Sequence, residues 1–234
     1  APNARMGTVD TITEEQFIEM ARPGDLVLAR TNAPLVAMCY TLISAGVPAK
    51  VSGRDVSAAL RTMTMNAACF IDGRVQKDKY RTGISTEDFL VRLDNYSEFL
   101  LNKAERQAER TGTDSGLRVM TITDRNMVIK TICEASRAKT VSRLISDLSE
   151  IFKGDSEENV LLATAHGAKG LEAESVYILE AGQFPSSRAA SPAELYAEAC
   201  AEFVAYSRAM KRMLFVGDDA GKIPQDVRGW DEED

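Results

Sequence analysis

An α/β fold, with a parallel sheet flanked by helices and split by a helical block, is what these 234 residues predict. Two observations carry that reading. Short apolar runs stand towards both ends of the chain: "GDLVLAR" (24–30), "NVLLATA" (159–165) and "SVYILE" (175–180). Runs of this length bounded by turn residues read as buried strands of a parallel sheet. Between them, from Arg54 to Glu158, the periodicity is helical with few strand signals.

The elements follow in order. Pro23-Gly24 leads into the first strand. In "TNAPLVAMCYTLISAG", Leu35, Met38, Cys39 and Leu42 share one helical face. Asn32 reads as its N-cap and Gly46 as its stop. "PAKVSG" is a second strand, which completes a strand–helix–strand unit. In the helical block Phe89, Leu93, Tyr96 and Leu100 share a face. Asp124 reads as the cap of a helix over 125–137. Val141, Leu144, Ile145, Leu148, Ile151 and Phe152 form an amphipathic stripe. Such stripes are core packing. The segments 72–84 and 111–116 read as exposed loops. A final helix is expected over 192–210, then the strand "RMLFVG", then a solvated acidic tail ending "WDEED". The expected divisions are 1–53, 54–158 and 159–234, the first and last forming one α/β domain.

Composition narrows the function classes. Apolar residues make up 44% and charged residues 27%, as in ordinary globular proteins. The net charge is −7, from 28 basic and 35 acidic residues. That argues against a uniformly basic coat but leaves room for a local basic groove. No apolar run is long enough for a membrane span, and the first residues lack the apolar core of a signal peptide. Cys39, Cys69, Cys133 and Cys200 have no metal-site spacing, and His166 is the only histidine. They read as reduced thiols in a cytoplasmic protein, and no metal ligands are predicted.

The stretch "LLATAHGAKGLEAESVYIL" (161–179) has the outline of a phosphate loop. It lacks the spaced glycines and the hydroxyl after the lysine that a phosphate loop needs. Arg30 ends the first strand. Thr164, His166 and Lys169 stand at and beyond the end of "VLLATA". Arg208 comes late in the last helix. Ligands of open α/β sheets bind beyond the carboxyl ends of strands. Two arginines beside a Lys/His loop suit an anion of distributed charge, such as a transferring phosphoryl group. Taken singly, each arginine also reads as a surface ion-pair partner, His166 as a structural residue and Gly167/Gly170 as an ordinary turn.

The order of these stretches carries a resemblance. "VLLATAHGAKGLEAESVYIL" resembles motif V of superfamily 1 DNA helicases of the UvrD/Rep type, with its Thr-x-His-x-Ala-Lys-Gly-Leu-Glu core. "AEFVAYSRAMKRMLFV" resembles motif VI, and "DLVLARTNAPLVAMCYTLISAGVPAKVSG" resembles motif IV. Phe203, Ser207 and Ala173 depart from the usual Tyr, Thr and aromatic, and the acidic and arginine run before motif VI is reduced to Glu198.

The resemblance implies the second RecA-like domain, 2A, with a short helical insertion in the place of the family's 2B. It implies ATP held against a missing first domain that supplies the phosphate loop and the Mg²⁺ ligands, so the chain reads as a fragment or split polypeptide of a longer helicase. Arg30 and Arg208 would be arginine fingers. Gly170 and Glu172 would meet the nucleotide. Thr164 and His166, with Asn32, Arg54 and Lys169, would face DNA. The implied partners are single-stranded DNA, duplex junctions and the helicase's own 1A and 1B domains. The Ala-Lys-Gly-Leu-Glu core is similar to that of the 3′-to-5′ branch, and a bacterial or phage source fits. The other reading is a non-catalytic DNA- or protein-binding module that kept the RecA-like fold.

Overall fold

The computed structural model describes residues 7–76, 83–152, 158–184 and 192–217, the side chains of Arg54 and Asp55 excepted. The acidic tail expected at 230–234 lies outside them. The chain divides into two compact units, residues 1–52 with 154–234 and residues 53–153.

The first stretch of the sheet unit holds β1 (Thr8–Ile12), α1 (Glu14–Met20), β2 (Leu26–Ala29), α2 (Asn32–Ser44) and β3 (Ala49–Val51). The helical unit holds α3 (Arg54–Ala68), β4 (Phe70–Ile71), β5 (Arg74–Val75), α4 (Thr86–Thr111), α5 (Gly116–Ser136) and α6 (Val141–Ile151). The chain then returns to the sheet unit with β6 (Val160–Thr164), β7 (Ala173–Leu179), α7 (Pro192–Tyr206) and β8 (Ala209–Val216).

The sheet is six-stranded in the order β1-β8-β7-β2-β6-β3, and every pairing is parallel. This is the parallel α/β sheet that the apolar runs predicted. β2 lies between β6 and β7, with Leu26 opposite both Leu161 and Val176. All four of its residues are buried, as a central parallel strand requires. Leu28, Val176, Ile178 and Phe215 meet Ala201 and Ala205 of α7 in one core cluster. Small residues at 201 and 205 are one helical turn apart, so α7 shows the sheet a face of small side chains.

The sequence reading left out β1 and α1. α1 is announced by a capping box: Gln16 N–H donates to Thr13 Oγ1 (3.2 Å) and Thr13 N–H to Gln16 Oε1 (2.9 Å). Its Phe17 is fully buried, with its ring 4.6 Å from that of Tyr177 in β7. Three further expectations are corrected. Thr31, not Asn32, occupies the N-cap of α2, and Asn32 is its first helical residue. The last helix stops at Tyr206, because Ala209–Met210 already belong to β8. Asp124 caps nothing, since α5 runs unbroken from Gly116 to Ser136.

In the helical unit α3 packs on α4 and α6, and α5 on the same two helices. The core is the expected stripes: Phe89, Leu93 and Tyr96 of α4, and Val141, Leu144, Leu148 and Ile151 of α6, all buried. Ser85 caps α4 by accepting from Asp88 N–H at 3.1 Å. α4 ends at Gly112 in the left-handed region, φ 63°. A two-residue hairpin, β4 with β5, turns through Asp72-Gly73, both at positive φ. Strands so short give no periodicity to read.

Candidate functional site

The loop after β6 is held by its first residue. Thr164 Oγ1 accepts from Gly167 N–H (3.2 Å), and its carbonyl accepts from Ala168 N–H (2.9 Å). A Cβ on Gly167 would sit 3.3 Å from Thr164 Oγ1, tighter than such contacts normally are. Ala168 is buried and anchors the loop, while His166, Lys169 and Glu172 are exposed. Gly170 lies at φ +85°, where glycine alone rests without strain. The loop thus has a buried pivot and outward-facing polar side chains.

Arg30 leaves the carboxyl end of β2 beside this loop, since Ala29 pairs with Thr164 and Ala165 N–H donates to Ala29 O (3.1 Å). Its guanidinium is clamped by Glu198 of α7. Nε donates to Oε2 at 2.7 Å, and Nη2 donates to Oε1. Both side chains are 10% exposed. A bidentate pair of this kind fixes the plane of the guanidinium. It occupies one edge of the fork and leaves the Nη1 edge without a hydrogen bond among the described residues. Glu198 is a site residue that sequence reasoning noted only as a remnant of an acidic run. Its one signal was an acid in line with the small residues Ala201 and Ala205 on the inner face of α7.

Arg208 is held differently. It lies in the turn between α7 and β8. Nε donates to Val204 O (2.9 Å), Nη1 to Leu171 O (3.2 Å) and Nη2 to Ser207 Oγ (2.9 Å). Its own carbonyl accepts from Ala173 N–H (3.1 Å) at the start of β7. This corrects the expectation that all these groups gather at the carboxyl ends of the strands. Ala29 is level with Thr164, and one step beyond the Leu28–Ile178 pair it is level with Leu179. Ala173 lies six residues below that level, on the order of 20 Å along the sheet. Thr164, His166 and Arg30 therefore mark the carboxyl edge, whereas Leu171, Glu172 and Arg208 mark the amino edge. The loop from 165 to 172 spans the two.

Both guanidinium groups nonetheless meet α7. Arg30 reaches it at Glu198 and Arg208 at Val204. These positions are six residues apart, about 9 Å of helical rise. Outward, α7 carries Leu195, Tyr196 and Phe203, continued by Met210 in β8, all exposed; Tyr196 is 74% and Phe203 73% accessible. Tyr196 and Phe203 are seven residues apart and so lie on one side of the helix. Asn32 stands partly buried at the start of α2. Arg54 opens α3 in the other unit, and its side chain lies outside the described residues. Among the described residues no group of His, Cys, Asp and Glu is arranged to hold a metal ion, and no helix is long and apolar enough to cross a membrane.

The sequence pattern of the UvrD-like helicase C-terminal domain matches residues 75–217. The match takes in most of the helical unit and β6 to β8. It includes Thr164, His166, Lys169, Gly170, Glu172 and Arg208, and it begins after Arg30, Asn32 and Arg54. No curated protein matches the chain. With more than half of its residues matched, this chain belongs to the UvrD-like helicase C-terminal domain family.

Proposed function

We propose that the chain is the C-terminal motor half of an ATP-dependent DNA helicase. ATP would be held by the N-terminal half of the same protein, against the face that carries Arg30, Arg208 and α7. The single observation that carries this reading is the convergence of two arginines from distant parts of the chain on one helix, 9 Å of rise apart by the estimate above. The exposed apolar stripe of Leu195, Tyr196 and Phe203 on that helix supports a large partner surface there.

In this mechanism Arg30 keeps its Glu198 partner and offers its Nη1 edge to the γ-phosphate. Arg208 exchanges its carbonyl partners for phosphate oxygens. Both stabilise charge that spreads over the phosphoryl group in the transition state. Exposed Glu172 takes the ribose hydroxyls, with Gly170 allowing close approach. At the carboxyl edge, beside Arg30, Thr164 and His166, with Lys169 and Asn32, hold single-stranded DNA near a duplex junction; Arg54 of the other unit is assigned to DNA on the resemblance. The loop from 165 to 172 joins the two ends, so a shift at the nucleotide end moves the strand-binding end. Among the described residues no group fits Mg²⁺, and its ligands are assigned to the N-terminal half. Direction is assigned as 3′ to 5′ from the Ala168–Glu172 core.

One observation favours a second reading, a non-catalytic binding module. Every nitrogen of the Arg208 guanidinium already donates to the protein. Arg208→Ala in the full helicase separates the two. The motor reading expects kcat for DNA-stimulated hydrolysis to fall by about 10³-fold or more, with ATP and DNA affinity largely kept. A lower melting temperature with kcat unchanged would overturn it. The isolated chain is expected not to hydrolyse ATP.

A further inference from the structure

Charge is divided unequally between the two units. Residues 53–153 hold 17 Lys and Arg against 14 Asp and Glu, net +3. The sheet unit holds the remaining 11 against 21, net −10, so it attracts cations. That unit also has a cleft of about 460 Å³, the size of a small-molecule site. α2 lends it one helical face, Pro34, Ala37, Met38 and Thr41, and the ends of β7 and β8 lend Leu179 and Val216. Met38, Leu179 and Val216 are buried and give it an apolar floor. Among the described residues no Lys, Arg or His lines it. Its charged groups are the carboxylates of Glu14 and Glu180, both on exposed residues.

The strand register sets these two carboxylates apart. Leu179 is level with Val216, and Val216 with Ile12. Glu180 comes one step beyond this level on β7, and Glu14 two steps beyond it where the chain leaves β1. β8 runs between those strands, so the two backbones stand two strand spacings apart, on the order of 10 Å. Gly217 occupies the step between them. Its N–H donates to Ile12 O (3.0 Å), its φ is +96°, and a Cβ there would meet no atom within 4 Å. The glycine thus leaves the gap between the glutamates open. Glu180 is itself at φ 48°, a left-handed conformation that is costly for a glutamate.

We propose that this cleft binds an aliphatic diamine or polyamine. One ammonium meets Glu14, another meets Glu180, and the methylene chain between them lies on Met38, Leu179 and Val216. Two carboxylates held apart across an apolar floor match two cations joined by methylenes. They repel the phosphates of a nucleotide, and a neutral apolar ligand would leave them unused. Among the described residues no group of acids is arranged to hold a metal ion, so a bare divalent cation does not fit. The cleft lies beyond the carboxyl ends of parallel strands, where open α/β sheets bind ligands. The inference does not depend on the roles proposed for Arg30, Arg208 and the loop after β6.

The test is isothermal titration of the whole chain at low salt with butylamine, butanediamine and spermidine. Each exposed ion pair contributes a few-fold in affinity, so the diamine should bind about three- to fivefold more tightly than the monoamine. Glu14→Gln/Glu180→Gln should weaken spermidine about tenfold with the melting temperature unchanged. Ala37→Lys, at an exposed position in the lining, keeps both carboxylates but adds a competing cation, and should weaken spermidine as much. Glu19→Gln/Glu158→Gln removes the same charge from exposed positions of the sheet unit outside the cleft and should leave binding unchanged. An equal loss in that control would overturn the proposal, because it would mean diffuse attraction to an acidic surface. Butylamine binding as tightly as butanediamine would overturn it too, as would full affinity in the first variant. Trilysine binding more tightly than spermidine would overturn the assignment to a free amine and make the cleft a docking point for a basic protein.

Discussion

The sheet unit is assembled from two stretches of chain with about a hundred residues between them, whereas the helical unit is one continuous stretch. In the first, β2 pairs with β6 and β7 across more than 130 residues of sequence. In the second, neighbouring helices pack on neighbours, α3 on α4, α4 on α5 and α5 on α6. Long-range pairing is slow to close and local packing is fast, so the helical unit has the topology to form before β6 to β8 can complete the sheet. Their polar groups differ in the same sense. The sheet unit keeps a buried ion pair, Arg30 with Glu198, joined over 168 residues. The ion pairs described in the helical unit each keep at least one partner in solvent, as in Lys130 with Asp94 (2.7 Å) and Arg143 with Asp147 (2.8 Å).

The largest break in this comparison should come from Glu198→Ala. It leaves the Arg30 charge nearly buried with no counter-ion, which typically costs about 3–5 kcal/mol. Hydrogen exchange should accelerate at amides of β2 and α7 and stay unchanged in α3 to α6. Glu198→Gln, which still accepts a hydrogen bond, should fall between. Equal acceleration in both units would mean that they unfold as one cooperative body. Leu144→Ala is the mirror experiment. Leu144 is fully buried in α6, and its truncation should cost about 2–5 kcal/mol, now confined to α3 to α6.

The same contrast decides what was legible in the sequence. β2, β6 and β7 were readable because a strand buried on both faces writes a continuous apolar run. The stripes of α4 and α6 were readable because one face of each is buried. β1 was missed because, as an edge strand, it buries only Ile12 fully. α1 was missed although Thr13 and Gln16 spell its capping box. Asp124 misled because a residue that favours caps also sits mid-helix when the surrounding packing carries the helix through. For the candidate site, the loop residues from Thr164 to Glu172 could be singled out by type. The Arg30–Glu198 clamp could not, because no local pattern joins residues 168 apart. Nor could the amino-edge position of Arg208, which depends on strand register.

A smaller effect should appear at high pH, with one reporter in each unit. Burial pushes the thiol of Cys39 in α2 up to about 12, and burial with the neighbouring Glu134 charge does the same for Cys133 in α5. An unfolded thiol ionises near its ordinary value, about 9. Between about 9 and about 12 the folded chain keeps protons that the unfolded chain has released, so stability falls as pH rises through that window. Cys39→Ala should flatten the alkaline decline in the sheet unit alone, and Cys133→Ala in the helical unit alone. Urea melts at stepped alkaline pH, read by unit, check this. A slope unchanged by either substitution would show that these thiols do not drive the decline.

The smallest effect is a gain. Thr64 of α3 is fully buried, and its Oγ1 has no hydrogen-bond partner among the described residues. A buried hydroxyl left unpaired costs about 1–3 kcal/mol. Valine has nearly the same shape and the same branching at Cβ, so Thr64→Val changes neither the packing volume nor the side-chain stiffness of the helix by much. It exchanges the unpaired oxygen for a methyl group. The helical unit should gain about 1 kcal/mol, which for a unit of this size raises its transition by about 4–8 °C. The sheet unit should not move. Thr64→Ser keeps the hydroxyl and deletes the buried methyl, so it should destabilise. The pair of substitutions isolates the oxygen from the packing. If valine destabilised and serine did not, the hydroxyl would be bonded to a carbonyl of its own helix, one turn back. The helical unit would then hold a second satisfied polar group in its core, besides Ser97, whose Oγ accepts from Asn126 Nδ2 at 2.7 Å.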